Sequence, residues 1–403
     1  MKEQSMDLTP TARATTLSKQ ITEFMERWVS PSERAYYEAI EGSGDRHHRP
    51  AILEELKAVA RGAGLWNLFL PDRAHGPGLS NLEYAPLAAI MGRVLWASEV
   101  FNCSAPDTGN MEILAQYGTP EQKAQWLEPL LEGKIRSGFS MTEPMTPGSD
   151  PTQLQTRAVR DGGDYVITGR KWFTTGAMHA RVLLVMAVTD PAASRHKRVS
   201  LLVVPMDTSG LTVVRAMPVF GHVSGPGECE VAFEGVRVPR SALLGGEGEG
   251  FAVAQARLGP GRIHHCMRAV GMADRAVEMM ARRARTRMVV GGALGEKQMV
   301  QDMIATSRIE VNAARLMMLQ ASWAMDTMGK KEAWPHISMA KVICAQTACR
   351  VVDRAIQIHG ALGVTDDVPL AAMWRYARIL RLGDGADEVH KAKIAEHEIR
   401  QWP

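Results

Sequence analysis

Three short stretches decide the reading of this chain: Ser140-Met141-Thr142-Glu143-Pro144, then Gly148-Ser149-Asp150, then Lys171-Trp172-Phe173-Thr174-Thr175. The first two are polar turn segments between a helical region and a run of alternating strands. The third follows Tyr165-Val166-Ile167-Thr168-Gly169, whose alternation and β-branched content predict one arm of a hairpin. Hydroxyls and backbone amides on two neighbouring loops suit the polar edge of a planar heterocycle, and an aromatic beside them can lie along its face.

Working outward, residues from about 16 to 135 carry helical periodicity, as in Ile21, Phe24, Met25, Trp28 and Val29. From about 137 to 246 the character changes. Val182–Val188, Val199–Val204 and Leu211–Val214 are short β-branched runs bounded by Gly, Pro, Asp and Ser. After Gly245–Gly250 the helical period returns. Ile337, Ala340, Cys344, Thr347, Val351, Ala355 and Ile358 fall three and four apart, which predicts one buried face of a long helix. Helices, a small β region and then helices again make an α+β chain, with boundaries at 1–136, 137–246 and 247–403. This is not the order of a dinucleotide fold. The Gly246-x-Gly248-x-Gly250 string lacks the βαβ setting that a phosphate-binding fingerprint requires.

The 403 residues correspond to about 2.7 domains by length alone. A net charge of +3 argues for neither nucleic acid nor a membrane surface as partner. Five scattered cysteines show no zinc spacing and read as reduced thiols. No run approaches membrane-spanning length, and Glu3 and Asp7 speak against a mitochondrial presequence, so a cytoplasmic location is expected.

In combination the quoted motifs resemble the flavin-binding middle domain of the acyl-CoA dehydrogenases, and the resemblance runs from Tyr117 to Arg400. It implies an N-terminal helical domain, a middle antiparallel β-barrel and a C-terminal four-helix bundle, with FAD as cofactor. It also implies that Phe139, Met141 and Thr142 touch the isoalloxazine, and that Gly148 and Ser149 lie near the flavin phosphates or the substrate's pantetheine. Phe173 stands where the family usually has Trp, and Thr175 is the hydroxyl expected at flavin N5. Arg287-Met-Val-Val290-Gly291 resembles a family motif that binds the FAD pyrophosphate, with Val290 in place of Phe. A guanidinium fork suits two phosphates. In the family that arginine reaches across a subunit interface, as would Gln298 and the turn Gln357-Ile-His-Gly360-Ala361, so a homodimer or dimer of dimers is implied.

The family's catalytic carboxylate is usually a Glu before the last helix. Here the register from Gln357 puts Asp384 at that position, between Gly383 and Gly385. Asp387 and Glu388 read as the first turn of the closing helix, and Ala386 and Glu388 fall at family positions that touch FAD. The resemblance implies that Asp384 removes the α-proton of an acyl-CoA while the β-hydrogen leaves as hydride to flavin N5. The shorter Asp and the side-chain-free Gly383 suggest a substrate bulky near its reacting carbons.

Gly261-Arg262-Ile263-His264-His265-Cys266 narrows the resemblance to the branch that in mammals is fused to an aminoglycoside-phosphotransferase-like kinase domain. Arg262 lies at a position that supports the catalytic loop. Two readings stand for the histidines. His264 and Arg262 form a cationic wall for a polar or phosphorylated acyl substituent, or His264 and His265 are packed helix residues.

The resemblance thus implies fatty-acid β-oxidation or related lipid metabolism on a branched, long-chain or 4-hydroxy/4-phospho acyl-CoA, with an electron-transfer flavoprotein as acceptor. The alternative keeps the fold and changes the chemistry to a flavin oxidase or monooxygenase with a non-CoA substrate; nitroalkane oxidase, a relative, also uses an Asp base. Some relatives bind DNA through a basic C-terminal surface, but Ala395–Pro403 is charge-balanced.

Overall fold

The computed structural model describes residues 6–222 and 227–402. Glu3, used above in the presequence argument, lies outside them, as does Pro403. The chain forms two compact units. One comprises residues up to Glu33, Leu79–Ser98 and the chain from Gly259; the other comprises Arg34–Gly78 and Glu99–Leu258.

The second unit is built on a seven-stranded sheet: β1 (Arg136–Ser140), β2 (Arg157–Asp161), β3 (Asp164–Thr175), β4 (Ala180–Val188), β5 (Val199–Pro205), β6 (Leu211–Met217) and β7 (Glu228–Pro239). The strand order is β1-β4-β2-β3-β7-β6, with β5 also on β4. β4 is apolar along most of its length, as suits a strand covered on both faces. β6 alternates and is covered on one face. Tyr165, Ile167, Leu183, Val185, Leu202, Val204, Val231 and Phe233 form the core, and each fully buried aliphatic contributes about 1.5–3 kcal/mol. Most pairs are antiparallel, as expected, but β1 and β2 run parallel to β4. Side-chain period reports which face is buried and is blind to strand direction, so this detail was not readable from the pattern.

The glycine string before the helix Gly250–Thr286 has a packing cause. A Cβ on Gly250 would meet the Ser200 carbonyl carbon at 2.5 Å, and one on Gly248 would meet Lys197 O at 2.7 Å. These glycines let the chain lie against β5.

In the other unit run Gln298–Thr327, Lys330–His359, Leu370–Leu380 and Asp387–Gln401, with the part of Gly250–Thr286 from Gly259 onward. The predicted apolar row from Ile337 to Ile358 is buried throughout. Asp387 and Glu388 occupy the first turn of the last helix, where carboxylates face the positive end of the dipole. The helix Asn81–Met91 and its C-cap lie backbone-to-backbone on Gly250–Thr286. A Cβ on Gly271 would meet Ala89 O at 1.7 Å, and one on Gly92 would meet Arg268 O at 2.4 Å. That contact lies at Arg268 and Gly271, further along the helix that carries Arg262, His264 and His265. All five cysteines are buried thiols. Among the described residues no helix is long and apolar enough to cross a membrane.

A buried ion cluster anchors the helical part of the sheet-bearing unit. Arg136 pairs with Glu99 and Asp107, and Arg49 also pairs with Glu99. Burial opposes the Glu99 charge, but Arg136 and Arg49 outweigh it and bring the carboxyl down to about 2. A depressed carboxylate stabilises the fold fully above its unfolded value and loses that contribution as pH falls through the folded value. Urea unfolding should therefore show a stability plateau near neutral pH and a steep fall from about pH 4.5 towards 2. A Glu99→Gln variant should be less stable at neutral pH and show a shallower acid fall.

Candidate functional site

In the sheet-bearing unit the candidate residues are presented by the end of β1, the turn after it and a bulge in β3. The β3–β7 register shifts between Lys171 and Thr174, which leaves Trp172 and Phe173 off the ladder. Trp172 N donates instead to Thr142 O at 3.0 Å. Phe173 has φ +48° and is 48% exposed as a residue, its ring edge-on to Trp172 at 5.2 Å. A non-glycine residue held there costs about 1–3 kcal/mol and persists only where the surrounding structure dictates it.

The bulge and the turn are tied together from beneath. The buried Lys171 Nζ donates to Met141 O at 2.9 Å and to Glu143 Oε1 at 2.8 Å. Glu143 also accepts the backbone amides of Gln155 and Thr156 at 2.7 and 2.8 Å. Desolvation drives the Lys171 ammonium down to about 8 despite the attraction of Glu143. Glu143 stays below the usual carboxylate range; burial opposes its charge, but Lys171 and the Thr156 bonds outweigh that. Met141 and Thr142 are half-buried on the strapped turn. Gly148 and Ser149 are exposed, and a Cβ on Gly148 would meet Thr142 Cγ2 at 2.9 Å.

Phe139 is buried under the Arg257 guanidinium, 4.1 Å from the ring centroid, and Arg257 Nε donates to Asn110 Oδ1 at 2.9 Å. Ser140 and Thr174 share a buried hydroxyl contact at 3.0 Å. Thr175 Oγ1 donates to Glu228 Oε2 at 2.7 Å, and burial pushes the Glu228 carboxyl up.

In the helical unit the centre is Asp384. Its φ is +55°, and the following Gly385 is at +103°, where a Cβ would meet His390 Nε2 at 2.8 Å. The loop is gripped at one atom. Arg262 Nε donates to Asp384 O at 2.8 Å while its guanidinium lies 4.8 Å from the Trp334 centroid. His390 Nε2 approaches the same oxygen at 3.4 Å, its Nδ1 being on Ser338 Oγ at 3.1 Å. On the helix side Asp387 accepts Arg381 Nε at 2.8 Å and Gln346 Nε2 at 2.9 Å, and Lys341 Nζ donates to Leu380 O. Gly383 is exposed, with nothing nearer its absent Cβ than Ile379 O at 3.8 Å.

The histidine beside the carboxylate is His265, whose Nε2 lies 3.3 Å from Asp384 Oδ2. His264 instead packs edge-on against Tyr84 at 5.0 Å. Burial, with the Arg268 charge, drives its imidazole down to about 3, so it is neutral. Burial and the Tyr84 contact favour the packing reading of His264 over the cationic wall.

The remaining expected cofactor residues of this unit are spread over its surface. Arg287 precedes a small hairpin, Met288–Val289 with Gly292–Ala293, whose tip Val290 is 97% exposed. Gln298, Gln357, Gly360, Ala361 and Glu388 are exposed, and Ala386 caps the last helix. Among the described residues no hydrogen bond joins the Arg287, Gln298 or Gln357 side chains to the Asp384 loop.

A carboxylate held in a left-handed turn by a buried arginine can accept a proton, and an aromatic on a strained bulge can stack on a planar ring. Family models for the acyl-CoA dehydrogenase N-terminal, middle and C-terminal domains match residues 11–134, 138–236 and 248–399. The chain belongs to the acyl-CoA dehydrogenase family. It is 50% identical to "Probable acyl-CoA dehydrogenase FadE2" of Mycobacterium tuberculosis, over 98% of this chain and 97% of that one. It is 47% identical to acyl-CoA dehydrogenase family member 10 of Mus musculus, over 98% of this chain but 37% of that protein. Family member 11 of Rattus norvegicus is 46% identical over 94% of this chain, which spans 50% of its length. A solved structure from Mycobacterium abscessus superposes with a TM-score of 0.95 at 47% identity, covering 98% of this chain and 100% of that one. These likenesses bear out the family and its helical, β and helical succession.

Sequence reading missed three partners: Lys171 beneath the turn, Glu228 against Thr175, and His265 as the histidine at Asp384. Only the last left a usable signal, the His265–Arg268 spacing of one helical turn. Breaking the buried pair with Lys171→Met strands Glu143. It should lower stability by about 3–5 kcal/mol in a denaturant titration, and the double variant with Glu143→Gln should recover part of that loss.

Proposed function

We propose that this chain is an FAD-dependent dehydrogenase that removes the α- and β-hydrogens of an acyl-CoA thioester. The observation that carries the reading is the Asp384 loop, a carboxylate whose backbone carbonyl is held by Arg262 and whose side chain stands beside His265. Asp384 takes the α-proton. Arg262 acts by holding the loop, and the neighbouring Gly383 leaves room for a substituent on the acyl chain.

The residues of the sheet-bearing unit fit an isoalloxazine. Phe173 offers an exposed ring, Met141 and Thr142 offer a strapped turn, and Phe139 is buried beside them in sequence. Bound there, FAD supplies the acceptor for the β-hydride. In this structure the Thr175 hydroxyl donates to Glu228 Oε2. Because burial favours the neutral Glu228 carboxyl, that group can donate to Thr175 in turn, which releases the threonine hydrogen for a flavin nitrogen. Gly148, Ser149, Arg287, Gln298, Gln357, Gly360, Ala361, Ala386 and Glu388 are proposed as further cofactor contacts, with Ser149 and Gly385 also towards substrate. The exposure of several of them in the single chain agrees with a homodimer or dimer of dimers. The division at 136/137 and 246/247, an electron-transfer flavoprotein acceptor, a role in cytoplasmic lipid β-oxidation and a branched, long-chain or 4-hydroxy/4-phospho acyl group complete the proposal.

The test is anaerobic mixing of the FAD-loaded protein with short, long, 2-methyl, 4-hydroxy and 4-phospho acyl-CoAs while the oxidised flavin band is followed. One class should bleach it, and Asp384→Asn should slow that bleaching by about 10²–10⁴-fold with FAD content unchanged. No bleaching by any thioester would replace this reading with an oxidase acting on a non-CoA substrate.

A further inference from the structure

The Asp384 side chain does not stand alone, and its neighbour is itself held in one protonation form. Arg268 Nη2 lies 3.2 Å from His265 Nδ1, the ring nitrogen other than the one nearest the carboxylate. A guanidinium has only donors, so Nδ1 must be the accepting nitrogen. The ring proton then resides on Nε2, and Nε2 is the atom 3.3 Å from Asp384 Oδ2. Arg268 thus donates to His265 Nδ1, and the proton left on Nε2 is on the ring nitrogen nearest the Asp384 carboxylate.

We infer that His265 is a positioning residue for the base: as a neutral Nε2–H donor it fixes one carboxylate oxygen, orients the other towards the α-carbon, and stabilises the ionised form that can accept a proton. The inference rests on the reading of Asp384 as the base and deepens it. In the step itself the α C–H bond breaks, the proton joins Asp384, and the electron pair stays on the α-carbon. His265 keeps its proton throughout.

The surroundings favour this form. Desolvation pushes the imidazole down, the Asp384 bond and charge oppose that shift, and Arg268 and Lys341 disfavour a second ring proton. His264 and Arg262 lie on the same helix, and His390 of the last helix meets the Asp384 carbonyl. Lys341, from Lys330–His359, is itself pushed down by burial. The ring thus faces the Arg268 charge of its own helix, the Lys341 charge of Lys330–His359, and one carboxylate ahead. A neutral histidine with its proton towards that carboxylate meets all of these constraints together.

The test separates donation from bulk. His265→Gln places an amide N–H near the Nε2 position, whereas His265→Asn places one near Nδ1 and cannot reach Asp384. Each holoenzyme is given an acyl-CoA analogue whose β-carbon carries no hydrogen. Exchange of the α-hydrogen with deuterated solvent is then followed against pH, so proton removal is read without hydride transfer. Loss of a donor to a carboxylate should move the acidic limb of the exchange profile up by about one pH unit in His265→Asn. His265→Gln should leave the limb where it stands in the parent.

Arg268→Met, which releases Nδ1 to take the proton, should move the limb upward in part and serves if His265→Asn fails to fold. A limb that stays put in His265→Asn or, where that variant does not fold, in Arg268→Met overturns the inference, as does one that moves equally in Asn and Gln. Asp384→Asn is the separate control. If it still exchanges the α-hydrogen, the base assignment is wrong, whatever the histidine variants do.

Discussion

The candidate chemistry of this chain depends on a single hydrogen bond, from Arg262 Nε to the carbonyl oxygen of Asp384. A left-handed backbone at a non-glycine residue costs about 1–3 kcal/mol and persists only where surrounding structure dictates it. Here the dictation is complete. The arginine is buried, its face lies on Trp334, its helix is locked to Asn81–Met91 through two glycines, and the next residue can only be glycine because His390 fills the space of a Cβ. Each of these is an ordinary packing feature. Together they leave the Asp384 backbone one conformation and deliver its carboxylate beside His265.

The sheet-bearing unit solves the same problem by the same means. Phe173 is one of its non-glycine residues at positive φ, with Asn67, Asn102 and Phe220, and the buried cation next to the Phe173 bulge is Lys171, bonded to the carbonyl of Met141. Lys341, bonded to Leu380 O just before the Asp384 loop, is a third instance. A cation in the interior needs several acceptors, and backbone carbonyls at irregular turns need donors that no ladder supplies. Putting one against the other satisfies both requirements. This is why the irregular segments of this chain are the well-tied ones, and why buried lysine and arginine occur here beside strained turns as well as within the ion cluster around Glu99.

The regular parts of the fold were legible because they are periodic. The row from Ile337 to Ile358 and the runs that became β4, β5 and β6 announce their faces by spacing, and the Asp387–Glu388 start of the last helix follows from the dipole. The parallel β1–β4 pairing was invisible because alternation carries no direction. At the site, Asp384 was reachable by register. His264 and His265 could not be told apart by type, since adjacent positions on a helix differ by about 100° in direction and only the neighbours decide which ring is buried in packing. Lys171 was hidden for another reason. Its partner Glu143 is 28 residues away, and a buried charge pair of that separation has no local signature.

The position of Glu228 extends this argument to function. A carboxyl raised by burial, in contact with the hydroxyl of Thr175, can stand on either side of one hydrogen bond. When ionised it takes the threonine hydrogen, and when neutral it gives its own. The threonine therefore presents a donor or an acceptor on its other side according to a proton that sits one residue deeper. His265 is the opposite design. Arg268 at Nδ1 leaves the ring proton on Nε2, so His265 presents a donor towards Asp384. An oxidised flavin nitrogen asks for a donor and a reduced one for an acceptor, whereas a base that must be ionised before each turnover asks for an unvarying donor. The adjustable pair lies beside the hydroxyl proposed for the flavin and the fixed pair beside the proposed base, which is the distribution the two tasks require.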